Sequence, residues 1–157
     1  MKKIKNILLA TFIFSILVTC NSVSAATQYS DIITQITYLD NGDYLETTIY
    51  ENDIVLTRAT GKKTGTKTTT YKSNGKALWY VSVTGTFTYT GTSSKCTASS
   101  VKASSYVDTW KISNKSSSYK NNTATGSATA KLYYGPLPVT TINQTVTLSC
   151  NSKGDLS

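Results

Sequence analysis

Five carboxylates lie close together near the start of the chain, and paired carboxylates can carry out acid and base chemistry. They are Asp40, Asp43, Glu46, Glu51 and Asp53. A glycosidase needs two opposed carboxylates, so this set offers a glycan hydrolase as one hypothesis. The structural alternative is favoured, because Asp40 and Asp43 flank an Asn-Gly turn and the others suit solvated strand edges. Calcium is disfavoured, since the segment lacks EF-hand spacing and its closing glutamate.

Histidine is absent from the sequence. Its absence removes the catalytic triads and zinc sites that depend on imidazole. We therefore expect no catalytic residues, no bound metal and no cofactor, and we interpret the protein as a non-enzyme.

Two cysteines outside the leader form a natural pair. The chain has three cysteines, at positions 20, 96 and 150. In an oxidising compartment an even number favours a disulfide between Cys96 and Cys150, with two free structural thiols as the alternative. Zinc is disfavoured, because it needs four nitrogen, sulfur or oxygen ligands and the sequence contains no CxxC motif.

Tyrosine is abundant, with 11 in the chain. We expect Tyr71, Tyr80 and Tyr133 to point outward, where they would stack on sugar rings or bases if they share a face. Packing of these rings on neighbouring strands and lysine stems is the favoured alternative. Nucleic acid is not an expected partner, because no recognition motif is present.

The segment that determines where these residues work is the amino-terminal leader. Three lysines in the first five residues precede an apolar run at 7–18 and a small-residue exit that ends at Ala25 and Ala26. These three regions predict a signal peptide cleaved after Ala25. The run is too short to span a bilayer permanently. Cys20 follows Leu-Val-Thr, which resembles a lipoprotein signal, so a lipid-anchored protein is the alternative to a secreted one, and only then would the membrane be a partner.

Charge divides the mature chain in two. Loss of the three leader lysines lowers the formal charge from +8 to +5, with −6 on residues 26–57 and +11 on residues 58–157. We therefore divide the chain into a signal peptide (1–25), an acidic segment with a β-hairpin (26–57) and a cationic domain (58–157). The favoured interpretation is two solvated surfaces of opposite sign, because the lysines are spaced out. The alternative is that the acidic segment docks on or masks the basic domain, whose partner would then be an anionic cell-wall polymer or a glycan.

Alternating apolar and polar residues predict strands throughout the mature chain. Residues 77–89 give the clearest period of two, and Gly85 within them indicates a bulge or bend. Asn-Gly pairs at 41–42 and 74–75 predict two hairpin turns. The other predicted strands are 32–39, 44–50, 66–72, 96–103, 107–113, 124–134 and 142–150, with a loop at 114–123. About six to nine strands and no helix predict an Ig-like antiparallel β-sandwich, with a small β-barrel as the alternative.

Two resemblances accompany this pattern. The spacing of Cys96, Trp110 and Cys150 resembles that of immunoglobulin domains, in which a tryptophan packs on the disulfide. The segments TTTYKSNGKALWYVSVTGTFTYTGTSSKCTASSV and TVTLSCNSKGDLS resemble a group of uncharacterised small secreted β-rich proteins of Gram-positive anaerobic bacteria. That resemblance covers 58–157 and implies an exported β-domain with Cys96 and Cys150 as its pattern cysteines, but it implies no activity.

The leading hypothesis is a secreted, non-enzymatic β-sandwich with a binding role at the cell envelope or outside the cell. Its rivals are the carboxylate-dependent hydrolase and a cationic secreted toxin or bacteriocin whose acidic front restrains it.

Overall fold

Residues 30–51 and 60–157 are described by the computed structural model, with side chains of the first strand described from residue 35 onward. Eight strands and no helix make up this part of the chain: β1 (Ser30–Tyr38), β2 (Tyr44–Glu51), β3 (Gly61–Ser73), β4 (Lys76–Tyr89), β5 (Ser94–Ser105), β6 (Trp110–Lys120), β7 (Thr123–Tyr134) and β8 (Leu137–Ser149). The predicted all-β class is confirmed. Within these residues there is no helix of sufficient length and apolarity to traverse a membrane. Cys20, Ala25, Ala26 and Asp53 lie outside the described residues.

The strands form two antiparallel sheets, and each sheet is a meander. β1 to β5 lie side by side in chain order, and β6 to β8 form the second sheet in the same way. The predicted antiparallel β-sandwich is therefore confirmed. Immunoglobulin domains interleave strands between their sheets, so the likeness to them is confined to the two-layer architecture. The front hairpin, β1 and β2, is continuous with β3 in the five-stranded sheet.

The hairpin turns form where the sequence supplies residues that tolerate positive φ. Asn74 and Gly75 have φ of 49° and 77°, and Gly42 has φ of 83°. A two-residue turn with positive φ at both positions matches the twist of the strands that it joins, which explains the tight connection of β3 to β4. Both predicted Asn-Gly turns are present.

The core lies between the inner faces of the two sheets. β4 contributes alternate buried residues, Trp79, Val81, Val83 and Phe87, as its period of two predicts. Opposite them β7 presents alanines and Gly126. A Cβ added at Gly126 would lie 3.0 Å from Val83 Cβ, so the small residues of β7 allow the two sheets to approach closely.

Several predicted details differ in the structure. β3 begins at Gly61 rather than at 66, and β6 begins at Trp110 rather than at 107. The predicted loop at 114–123 is wrong, because β6 continues to Lys120 after an irregularity between Ser113 and Ser116. The second half of β6 is exposed and polar. Backbone hydrogen bonds to β7 hold it in the sheet, although it has no stripe of apolar residues. β8 likewise begins at Leu137, five residues before its predicted start. The bulge expected at Gly85 is not there, because Gly85 pairs in register with Ser99; the extra residue is Thr97 on β5, opposite Thr86 and Phe87.

Candidate functional site

Two of the front carboxylates, Glu46 and Glu51, are held apart by separate ion pairs. Glu46 pairs with Lys72 at 2.7 Å, and Glu51 pairs with the buried Lys63 at 3.1 Å. Because residues 46 and 51 have opposite parity on β2, these two pairs lie on opposite faces of the sheet. Asp40 is exposed in the first turn. Within residues 30–51 and 60–157, no three histidine, cysteine or acidic residues group as metal ligands would.

Cys96 and Cys150 are free thiols in the structure, so the predicted disulfide is not formed there. The two residues approach each other, since their backbone amides donate to the adjacent carbonyls of Asn121 and Asn122. Each thiol instead donates to a nearby carbonyl, Cys96 Sγ to Ala98 at 3.2 Å and Cys150 Sγ to Asn151 at 3.5 Å. Burial raises the pKa of both thiols, which keeps them protonated and unreactive near neutral pH.

Trp110 does not pack on the cysteines as the immunoglobulin spacing suggested. Its ring lies 5.6 Å from Tyr71 and 5.8 Å from Trp79. The backbone amides of the two cysteines instead donate hydrogen bonds to the turn between β6 and β7, at the opposite end of β6 from Trp110. The tryptophan and the cysteines therefore support different ends of the core.

The three tyrosines proposed for stacking do not share a face. Tyr71 was expected to point outward, and this is wrong: it is buried and stacks on Trp79 with centroids 5.1 Å apart. Tyr80 lies on the outer face of the five-stranded sheet, where its ring is 5.5 Å from that of Tyr106. Tyr133 belongs to the other sheet and lines a depression with Asp108 and Lys111.

The structure assembles a different set of tyrosines. The outer face of the five-stranded sheet carries Tyr38 on β1, Tyr44 on β2, Tyr80 on β4 and, just after β5, Tyr106; we call these four residues the tyrosine row. The rings of Tyr38 and Tyr44 are 5.8 Å apart. The two outermost members are well exposed, at 75% for Tyr38 and 59% for Tyr106. The row thus crosses the whole width of the sheet near one end.

Lys72 on β3 lies between the two halves of the row. Its neighbour in register is Tyr44, and both Tyr44 and Tyr106 influence its titration. The hydrogen bond to Glu46 raises the pKa of Lys72, so the ammonium stays charged at neutral pH. Burial raises the pKa of Tyr106, which stays a neutral hydroxyl.

The rest of this outer face is cationic and rich in hydroxyl groups. Alternation places four lysines, 62, 72, 95 and 102, on the outer face of β3 and β5, and one carboxylate, Glu46, on that of β2. Hydroxyl pairs link β3 to β4 at Thr66 and Thr84, 2.8 Å apart, and at Thr68 and Ser82, 2.9 Å apart. The described part of this face is therefore polar and positive beside the row of rings.

Sequence reasoning found Tyr80 but missed the other three members of the row. Tyr38 and Tyr44 flank the predicted Asn-Gly hairpin, so their cross-strand pairing was a readable signal. Tyr106 follows the last predicted residue of β5 and carried no periodic signal. No family model, curated protein or solved structure matches this chain.

Proposed function

We propose that the protein is an exported, non-enzymatic binding module that holds an anionic glycan chain on the outer face of its five-stranded sheet. The observation that carries the proposal is the tyrosine row, in which the rings flank a charged lysine on a hydroxyl-rich face. The predicted signal peptide and its cleavage after Ala25 would deliver the module outside the cell.

Each part of the face suits one feature of such a polymer. Tyrosine rings present a large apolar surface with a polar rim, which matches the apolar faces and hydroxyl edges of sugar rings. Lysines favour carboxylate or phosphate groups along the chain, and the hydroxyl pairs offer further hydrogen bonds. A row that crosses all five strands suits an extended polymer better than a single sugar.

The non-enzymatic part of the proposal is supported by the placement of the carboxylates. Glu46 and Glu51 are each paired with a lysine, and they lie on opposite faces of β2. Glu46 and Glu51 therefore do not flank one bond, as the two carboxylates of a glycoside hydrolase must.

The test is affinity electrophoresis of the mature protein, residues 26–157, in gels that contain one polymer each. Polygalacturonate supplies carboxylates, purified teichoic acid supplies phosphates, and hydroxyethylcellulose is the neutral reference. We expect retardation by an anionic polymer that weakens as salt rises. The two anionic gels distinguish which acidic group is bound. Equal migration in all three gels would overturn the proposal.

Variants connect the binding to the row. Replacing both Tyr38 and Tyr106 by alanine removes two exposed ring contacts of about 1 kcal/mol each, so affinity should fall roughly thirty-fold. Tyr134→Ala is the matched control, because Tyr134 is 83% exposed and lies on the other sheet. An equal loss in Tyr134→Ala, or no loss in the double variant, would contradict the assignment of the face.

A further inference from the structure

A cleft opens between the two sheets at the same end of the sandwich as the tyrosine row. Its volume is about 400 Å³, a size suited to one ring-sized ligand. It is lined by Tyr71 and Ser73 of the five-stranded sheet and by Trp110, Leu132 and Thr140 of the three-stranded sheet, together with residues of the β1–β2 turn and of the connection from β5 to β6. We call it the end cleft.

Aromatic residues form the inner wall of the end cleft. Tyr71 and Trp110 line it, and both are nearly buried, with ring centroids 5.6 Å apart. Trp79 packs against both rings from behind. This packing fixes the two lining rings in place, so the wall exists before any ligand arrives.

A single carboxylate, Asp43, gives the end cleft its charge. Asp43 accepts hydrogen bonds from the Tyr71 hydroxyl and from Asn41 Nδ2, the latter at 2.8 Å. Hydrogen bonds from Ser73, Tyr71 and Asn41 lower the pKa of Asp43, so it is ionised at neutral pH. The lining includes no lysine or arginine. Of the ion pairs formed within residues 30–51 and 60–157, neither involves Asp43.

We propose that the end cleft binds an amino sugar, with its ammonium group beside Asp43 and its ring against Trp110 and Tyr71. A cation is attracted both by a carboxylate and by the face of an indole or phenol ring. The hydroxyls of Ser73, Thr109 and Thr140 around the cleft complement the hydroxyls of a sugar. A negatively charged sugar would be repelled by the Asp43 carboxylate, which forms no ion pair with a described residue. The end cleft therefore prefers the opposite charge to the cationic outer face.

The test is titration of isotope-labelled mature protein with glucosamine, N-acetylglucosamine and glucose, followed by NMR. We expect glucosamine to shift the Trp110 indole signal and to bind at least tenfold more tightly than the two uncharged sugars. Asp43→Asn keeps an acceptor in the turn but removes the charge, so it should abolish that preference. Equal binding of all three sugars, or no shift at Trp110, would overturn the proposal.

Two control variants separate this site from other effects. Asp155→Asn removes a carboxylate that accepts from Asn151 Nδ2 at 2.9 Å, much as Asp43 accepts from Asn41, but at the opposite end of the molecule. It should leave the glucosamine preference intact, and loss of the preference there would refute a local role for Asp43. The Tyr38 and Tyr106 double variant should also keep the preference, so failure of one binding proposal is distinguishable from failure of the other.

Discussion

Gly85 offers a direct test of how closely the two sheets pack. It lies on the inner face of β4, in register with Gly65 on β3 and Ser99 on β5. A Cβ built at this position would lie 2.5 Å from Phe87 Cζ and 2.9 Å from Ala124 Cβ. Carbon atoms pack at about 3.5 to 4.0 Å, so a methyl group here requires the Phe87 ring or β7 to move.

We predict that Gly85→Ala lowers the free energy of unfolding by about 1 to 2 kcal/mol. Forcing an extra methyl group into a packed core costs about 1 to 3 kcal/mol. Replacing a strand glycine by alanine returns about 0.5 to 1 kcal/mol through the smaller entropy of the unfolded chain. The steric cost is larger, because Phe87 and Ala124 are fully buried and have no solvent to move into.

Urea unfolding followed by tryptophan fluorescence measures this effect, since Trp79 and Trp110 are both buried in the core. Phe87→Leu provides the companion variant, because a smaller side chain makes room for the new methyl group. The double variant should therefore be more stable than the sum of the two single effects implies, by about 0.5 kcal/mol or more. Unchanged or increased stability of Gly85→Ala would refute the close approach of the sheets at this point.

Two further predictions concern the interior. Cys96 and Cys150 should resist alkylation in the folded protein and react fully in denaturant, with a total mass gain of two alkyl groups; a native mass two protons lower, with no alkylation after unfolding, would contradict the free thiols. Lys67 lies on the inner face between the buried Ile49 and Val83, where burial lowers its pKa. The charged form of Lys67 therefore lowers the stability of the fold below the lowered pKa, and this cost fades as pH rises through that pKa. Lys67→Met should raise the urea midpoint at neutral pH, and a lower midpoint would contradict this.

Local signals predicted the parts of the fold that local chemistry determines. The turn at Asn74 and Gly75 needs two residues with positive φ, and the Asn-Gly dipeptide alone predicts such a turn. The long strand that follows was readable because one face is apolar from Trp79 to Phe87. β6 was only half predicted, because its exposed half is held by backbone pairing with β7 and that pairing leaves no apolar period.

The sites were harder to predict, because they depend on contacts between strands that are distant in sequence. Tyr71 was expected on the outer face. Because it pairs in register with the buried Trp79 on β4, it points into the core instead. Tyr106 enters the row only because β5 ends beside Tyr80. An even number of cysteines in the mature chain suggested a disulfide. Only the structure shows that each thiol donates to a backbone carbonyl of its own segment.

Alternation along two strands explains why two surfaces of opposite charge lie at one end of the molecule. Asp43 and Tyr44 are consecutive, and so are Tyr71 and Lys72. In each pair one residue lines the end cleft and its neighbour points to the outer face. The carboxylate and the lysine are therefore kept on opposite sides of the same sheet, and neither neutralises the other. A one-residue slip between β2 and β3 would exchange the faces, so the register that pairs Tyr44 with Lys72 determines the chemistry of both surfaces.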